Sequence, residues 1–417
     1  MKQIKFGYNK VLVFIVAFLT LLISGTLLYS IEGYKRLRDA TLVILFIVLV
    51  FLFFRWMKTT FKFPKSFVFI AVGTAIFFVG SFLSHPYATI NLISKVLMFI
   101  LFCSVFHSMD NAKLFFKYLY NIIVCISVIA LVYFIGLYVI KIPLQYTTLS
   151  DGFYKSYFYL FYNASIYQEF LGSFSYYRLQ AIFWEPGVYG IYIILALYYY
   201  TFVDEEKDRK KLYILVVCLL LTLSTTGMIL GVFIIAILFF KKVKRKRTRI
   251  FIFAPLVILV AITVYIVWAG KVTRGGGYTA SYTLRMVDFK ASLKVWLNHF
   301  WFGTGYGSTN EFQKATFMWN RGGNSNGLLN WCMMMGAWGL FFQVLPFVVN
   351  ILKSSKAKKI EFLVLAVVYM GINMTEPMIT SPLMIMLLAF VYTNAAKQSG
   401  RKILDGIKRK KNSSYMS

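Results

Sequence analysis

The chain has 417 residues, 59% hydrophobic and 14% charged, with a mean hydropathy of +0.69. A soluble chain carries roughly a quarter of its residues as Asp, Glu, Lys and Arg, so this composition excludes a soluble multidomain protein, and with it a disordered chain, a collagen or a disulfide scaffold. The formal net charge is +30, from 45 Lys and Arg against 15 Asp and Glu. On a soluble protein that balance would point to nucleic acid. On a chain this apolar it points to cytoplasmic loops that set orientation and meet anionic lipid, with no nucleic-acid partner.

A membrane helix needs about 20 mostly apolar residues. Lys2, Lys5 and Lys10 precede the run Val11–Leu28, which has no convincing cleavage site and is expected to persist as a first helix. Apolar runs follow at Ala40–Phe54, Ser66–Leu83, Ile90–Phe106, Leu119–Ile140 and Val188–Phe202. Further runs are Leu212–Phe240, Ile250–Ala269, Gly327–Leu352, Phe362–Met374 and Leu383–Tyr392. Leu212–Phe240 is long enough for one extended helix or two short ones. Lys207, Arg209, Lys210 and Lys211 precede it, and seven Lys and Arg lie within 241–249 behind it. Both flanks belong in the cytoplasm, so the chain is expected to cross twice, turning at Ser224–Gly227. The expectation is an all-α polytopic membrane protein, one integral domain over 1–417, with about twelve transmembrane helices and both termini cytoplasmic. Sorted by this topology, 31 Lys and Arg fall inside and 13 outside, with Lys95 within the fourth helix. The basic stretch 394–417 becomes a cytoplasmic tail.

Cys103, Cys125, Cys218 and Cys332 lie in apolar runs at no metal-ligand spacing and are expected as small core residues. No HExxH, CxxC or phosphate-binding Gly-rich loop occurs, so no metal or nucleotide site is predicted. The string Gly323-Asn-Ser325-Asn-Gly327 matches GxSxG, but a nucleophile elbow needs a strand before it and a soluble α/β sheet around it.

Two long loops fall on the outer side, 141–186 and 271–326, and long loops between packed elements commonly carry function. The second holds Lys271, Arg274, Arg285, Lys290, Lys294, Lys314 and Arg321, opposed only by Asp288 and Glu311. A net positive charge on the face that usually avoids Lys and Arg suits an anionic ligand such as a lipid pyrophosphate, whose oxygens match the guanidinium fork. Headgroup contact by the same charges is the alternative. Thr283–His299 reads as a helix with Arg285, Asp288, Ser292 and His299 on one arc and Lys290 and Lys294 opposite. That pattern predicts a surface-lying helix that aims Arg285 into a cavity.

The first loop closes on Arg178-Leu-Gln-Ala-Ile-Phe-Trp-Glu185-Pro-Gly, just before a helix. Pro186 suits a first helical position. Glu185 is either a helix-start acid or a carboxylate placed to take a proton from an attacking hydroxyl. Phe153–Tyr177 holds twelve aromatics, suited to stacking on sugars or to an interfacial belt. Lys95 either snorkels or has a functional role.

These strings together resemble the Wzy-type polymerases of O-antigen and capsule repeat units. The resemblance rests on Arg178 with Phe183-Trp-Glu-Pro-Gly, on Arg285 with Trp296 and Gly303-Thr-Gly305-Tyr-Gly307, and on Asn324-Ser-Asn326-Gly-Leu-Leu329 followed by Gly336 and Gly339. It departs at Ser224-Thr-Thr-Gly227, where relatives often have Ser-Arg-Gly. The resemblance implies a GT-C-like membrane glycosyltransferase needing no metal or other cofactor, at the outer face of the cytoplasmic membrane. Its donor and acceptor would be glycans on undecaprenyl diphosphate, and a flippase and a chain-length regulator would be its partners. It implies that Arg178 and Arg285 hold the pyrophosphate. With Glu185 they are the expected catalytic residues, and substrate contacts are expected from Arg274, Lys290, His299, Arg321, Asn324 and Asn326. The O-antigen ligases of the same superfamily are the alternative. They usually carry His where this chain has Ser325, and Asn-Pro-Asn where it has Glu185-Pro-Gly187. A lipid-linked glycan flippase or transporter is the other, although no internal repeat supports it.

The topology makes a direct prediction. A reporter fused at Thr226 is expected to read outside and one at Arg245 inside; an inside reading at both positions would make Leu212–Phe240 something other than two spans.

Overall fold

The structure is a computed structural model. It describes residues 2–30, 32–59, 89–107, 109–142, 174–242, 278–316 and 324–395, the strand segments 147–148, 155–157, 162–163 and 167–170, and residues 258 and 265. The expected run Ser66–Leu83, nearly all of Ile250–Ala269, and the tail from 396 onward lie outside these residues, as do Arg274 and Arg321.

The helices are α1 (Lys2–Leu22), α2 (Lys35–Thr59), α3 (Thr89–His107), α4 (Met109–Phe134), α5 (Pro186–Phe202), α6 (Arg209–Leu221) and α7 (Thr225–Lys242). They continue as α8 (Tyr278–Asn298), α9 (Asn310–Thr316), α10 (Gly327–Lys353), α11 (Lys356–Thr375) and α12 (Pro382–Ala395). Of the described residues 81% are helical, as the apolar runs require. Among the described residues three helices are long and apolar enough to cross a bilayer: Lys35–Met57, Asn111–Val139 and Gly327–Lys353. Shorter apolar helices cover Asn9–Leu22, Asn91–His107, Thr225–Lys241 and Pro382–Ala395. Val43, Ile47, Phe51 and Phe54 lie exposed along α2. In water such a stripe would drive aggregation; against lipid it costs nothing.

The chain forms two compact units, one of residues 1–45 and 113–286, the other of 46–112 and 287–417. In the first, α5 is buried along nearly its whole length. Three glycines let α6 and α7 pack closely within it. A Cβ on Gly231 would lie 2.3 Å from Leu219 Cδ2, and one on Gly227 would lie 3.2 Å from Leu219 Cδ1. Leu219 of α6 therefore seats in a notch formed by two glycines one turn apart on α7. Gly190 of α5 faces Ser224 and Gly227. The expected division of Leu212–Phe240 is present: α6 ends at Leu221, and Leu223 turns the chain at φ 45°. Ser224 Oγ then accepts from Gly227 N–H at 3.2 Å and caps α7. The turn thus spans Thr222–Ser224, two residues earlier than the sequence suggests, because a Ser cap draws the following threonines into the helix.

The first long loop, 141–186, contains strand structure that the apolar pattern did not signal. Strands β1 (Thr147–Thr148), β2 (Lys155–Tyr157) and β3 (Tyr162–Asn163) form one antiparallel sheet, and β4 (Tyr167–Phe170) and β5 (Phe174–Tyr177) a second. Aromatic side chains favour this extended backbone. Tyr157 and Tyr162 are buried, and both rings stack near Tyr133 of α4, at 6.4 and 5.7 Å. These members of the aromatic run hold the loop to the bundle. All four cysteines are free; Cys103, Cys218 and Cys332 are buried as expected, but Cys125 of α4 is exposed.

In the second unit, α10 is interrupted at Gly336, whose φ and ψ are 65° and −162°. A continuous helix would pair Ala337 N–H with Met333 O and Trp338 N–H with Met334 O. Here Ala337 N–H donates to Phe300 O at 2.7 Å and Trp338 N–H to Trp301 O at 3.5 Å. In return, Thr304 N–H donates to Met333 O and Gly305 N–H to Met334 O, both at 2.9 Å. The segment 300–305 is spliced into the helix, and all four displaced backbone groups find partners. The splice needs glycine on both sides. A Cβ on Gly336 would fall 2.3 Å from Trp301 O, and one on Gly303 (φ 67°) would fall 2.4 Å from the Met334 carbonyl carbon.

Gly336→Ala is expected to destabilise the purified protein by about 3 kcal/mol or more, since strained φ and backbone collision combine. Gly231→Ala should cost about 1 kcal/mol, because only the end of the Leu219 side chain must move. Thermal unfolding in detergent measures both, and equal losses would contradict this account.

Candidate functional site

The segment 178–186 is pinned from several directions within the first unit. Leu179 N–H donates to Leu221 O at 3.1 Å, Leu27 N–H to Ile182 O at 3.1 Å, and Trp184 N–H to Gly25 O at 3.2 Å. Asn163 Nδ2 donates to Phe183 O at 3.0 Å. The Phe183 ring is fully buried, stacked 4.5 Å from Tyr192 and 5.4 Å from Tyr189. Ala181 takes φ 49° to fit these contacts.

This frame places Arg178 and Glu185. Arg178 is half-buried, and its guanidinium donates from Nε to Thr222 O at 2.8 Å and from Nη2 to Leu223 O at 3.0 Å. A guanidinium at a helix C-terminus satisfies late carbonyls and meets the negative end of the dipole. Arg178 thus closes the end of α6, in addition to any contact with substrate. Glu185 occupies the N-cap position of α5 with extended backbone, and Pro186 follows at the first turn. Its carboxylate makes no capping hydrogen bond. The helix-start reading is therefore met by its backbone and not by its side chain.

The second group belongs to α8 and the start of α10. Asp288, Ala291, Ser292 and Val295 form the buried stripe of α8, at the i, i+3, i+4, i+7 spacing of a helix face. Ala291 and Val295 pack with Phe312 and Met333. Asp288 Oδ2 accepts from Ser325 N–H at 2.9 Å and from Ser325 Oγ at 2.7 Å. Asn324 Nδ2 donates to Ser292 Oγ. Asn324 Oδ1 accepts from Asn326 N–H at 2.8 Å, and Asn326 Oδ1 caps α10 by accepting from Leu329 N–H at 2.9 Å. Gly327 follows where a Cβ would lie 2.6 Å from Glu376 O. The polar string 324–326 is thereby the anchor of α10 against α8.

The arc expected on α8 is divided by burial. Asp288 and Ser292 are interior, while Arg285 and His299 are exposed, as are Lys290 and Lys294. The helix is anchored through its polar interior. Arg178 and Glu185 share one pinned segment, and Asn324 and Asn326 share one capping network. Glu311 pairs with Lys314 at 2.9 Å, and this contact holds its carboxyl below the usual carboxylate range. Asp288, Ser292 and Ser325 are the members of the second group that a list of expected ligand contacts missed. Their signal was the i, i+4 pair of small polar residues within an otherwise apolar stripe.

Residues 212–344 match the family model described as O-antigen ligase. The match covers α6–α9 and the first part of α10, so Arg285, His299, Asn324 and Asn326 fall inside it and Arg178 and Glu185 outside. It supports the O-antigen ligase/polymerase superfamily for this part of the chain. No curated protein matches the chain.

The tether predicts a stability signature. Asp288→Asn and Ser325→Ala should each destabilise the protein by about 1–3 kcal/mol, since a buried hydrogen bond to a charged group is lost. A double-mutant cycle by thermal unfolding should give a double variant clearly less unstable than the sum. Simple additivity would mean that the two groups do not support each other.

Proposed function

We propose that the protein is a metal-independent membrane glycosyltransferase, with twelve spans and both termini in the cytoplasm, that polymerises undecaprenyl-diphosphate-linked repeat units into O-antigen or capsular polysaccharide. The reaction takes place on the outer face of the cytoplasmic membrane. The match over 212–344 supports a glycan-processing enzyme of the ligase/polymerase kind. Within that kind, the observation that favours a polymerase is the state of Ser325. Its hydroxyl donates to Asp288 at the position where the resembled ligases carry an imidazole. A serine hydroxyl committed as a donor has no base function near neutral pH.

In the proposed reaction an acceptor hydroxyl attacks the anomeric carbon of the donor glycan. The bond from that carbon to the diphosphate oxygen breaks, and the lipid diphosphate leaves with the electron pair. Negative charge grows on the leaving group, so a guanidinium in a water-poor site stabilises the transition state more than the ground state. Arg285 is exposed on α8, where a bound lipid diphosphate can reach it and displace the water around it. Arg178 contributes its charge while two of its N–H groups hold the α6–α7 turn. The acceptor proton passes to Glu185, whose carboxylate is not spent on capping its helix. Lys290, His299, Arg274 and Arg321 are assigned to the glycan and phosphate periphery, and Asn324 and Asn326 to holding the site in shape. A flippase supplies the donor and a chain-length regulator acts on the product.

The ligase reading stands second because the matching family model carries that description. The interrupted α10 is a feature that transporters also use, but its displaced backbone groups are taken by the segment 300–305 and are not offered to a cargo.

Deleting the gene separates the readings. A polymerase-deficient strain should show single repeat units, attached or on the carrier lipid, whereas a ligase-deficient strain should accumulate long chains on the carrier. Complementation with Arg285→Ala should leave polymer at least about a hundredfold below wild type at equal membrane levels, the scale of losing one transition-state contact. Lys at this position should rescue poorly. Long stranded chains in the deletion strain would overturn the polymerase assignment.

A further inference from the structure

The second unit holds a cavity that the proposed reaction does not use. It lies between α3, the segment after the splice, α10 and the start of α12, and Lys95, Tyr306, Trp331, Gln343 and Ile379 are among its walls. Its volume is about 60 Å³. Its floor is the apolar cluster of Leu92, Tyr306, Trp331, Met335 and Ile379.

Among the described residues, two donors on the residues of these walls have no acceptor. Lys95 sits in the apolar helix α3, partly buried, and among the described residues it forms no ion pair and no hydrogen bond. The buried indole N–H of Trp331 has no hydrogen-bond partner among the described residues either. An unpaired ammonium among apolar groups is costly, and in a membrane-spanning segment it marks a site for an anionic partner. Gln343 does not meet the need from within, since its Oε1 accepts from Tyr369 Oη at 2.6 Å.

Size and lining narrow the class of partner. An engineered apolar cavity of about 150 Å³ admits benzene. A cavity less than half as large does not take a sugar ring, but it takes a narrow chain. Its walls are almost wholly apolar, which disfavours a free hydrated ion and favours a molecule that brings its own hydrocarbon. We propose that this cavity is a lipid-phosphate site, with an anionic phosphate headgroup against Lys95 and the start of a hydrocarbon chain against Val96, Ile379 and Met335. The site is separate from the residues assigned to the reaction and does not rest on that assignment. The cavity lies beside the splice, where Tyr306 stands edge-on to Trp331 with ring centres 6.3 Å apart.

The test uses the purified full-length protein carrying Arg285→Ala, so that the proposed reaction site no longer contributes its exposed cation. Binding of phosphatidylglycerol, undecaprenyl monophosphate, phosphatidylcholine and inorganic phosphate is measured by native mass spectrometry and by thermal shift. At least one anionic lipid should bind about tenfold or more tightly than phosphatidylcholine, and the stronger of the two identifies the source of the phosphate. Lys95→Met should remove that preference, and Lys95→Arg should keep most of it. Ile379→Phe, which narrows the chain slot and leaves the charge, should weaken the same lipid without touching Lys95. Binding within about twofold of the parent in Lys95→Met overturns the site. If that variant does not fold, unchanged binding in Ile379→Phe does so. Protection by inorganic phosphate equal to that by the lipids overturns the assignment to a lipid.

Discussion

The structure depends on closing backbone hydrogen bonds where water is scarce. A carbonyl or amide left open in hydrocarbon costs several kcal/mol, so a helix cannot simply stop inside an apolar bundle. Among the described residues, a helix ends at one such place and is interrupted at another, and a neighbouring segment closes each. At the end of α6, the carbonyls of Leu221, Thr222 and Leu223 are taken by Leu179 N–H and the Arg178 side chain. At Gly336, four displaced groups of α10 are taken by the segment 300–305. These closures use residues of the strings that resemble the polymerases. Arg178, Gly303, Gly305 and Gly336 therefore have a structural duty that is independent of any substrate.

That double duty bears on how arginine works here. A guanidinium keeps its charge in any environment, and two hydrogen bonds to carbonyls orient it without neutralising it. Arg178 can fix the α6–α7 turn and still present a positive field at the segment carrying Glu185. Lysine in its place would lack the planar fork that spans two successive carbonyls. In the proposed reaction, substitution of Arg178 would thus have a folding component beside an electrostatic one.

Much of the helical framework was legible in the sequence because long apolar runs and flanking charges are strong signals. The expected division of Leu212–Phe240 followed from basic residues at both ends, and α6 and α7 divide where Ser224 offers a cap. The small sheets of 147–177 were not legible, since their aromatic pattern fits an interfacial belt equally well until Tyr157 and Tyr162 are seen against Tyr133. The splice at Gly336 was not legible either. The glycines 303, 305, 307 and 336 were visible as a pattern, but only the backbone shows that Gly303 and Gly336 face each other's carbonyls. The candidate site was half legible. The residues Arg178, Glu185, Asn324 and Asn326 stood out, but periodicity put Asp288 and Ser292 beside Arg285 on one arc without telling interior from exterior.

Burial of Asp288 and Ser292 decides what Arg285 can do. Successive residues of a helix turn by about 100°, so a helix free to roll by one residue would swing Arg285 a quarter turn or more from its direction. The roll of α8 is set by Asp288 on Ser325 and by Ser292 on Asn324, with Ala291 and Val295 filling the space between. An apolar stripe alone resists rolling weakly, because neighbouring aliphatic residues can exchange places at small cost. A buried carboxylate with two donors resists it strongly, because any other roll strands a charge in an apolar interior. The polar interior of α8 therefore acts as a register pin. It fixes the direction of the exposed arginine one turn before it, and in the proposed reaction a stabiliser of a developing diphosphate charge needs that fixed aim more than it needs extra charge.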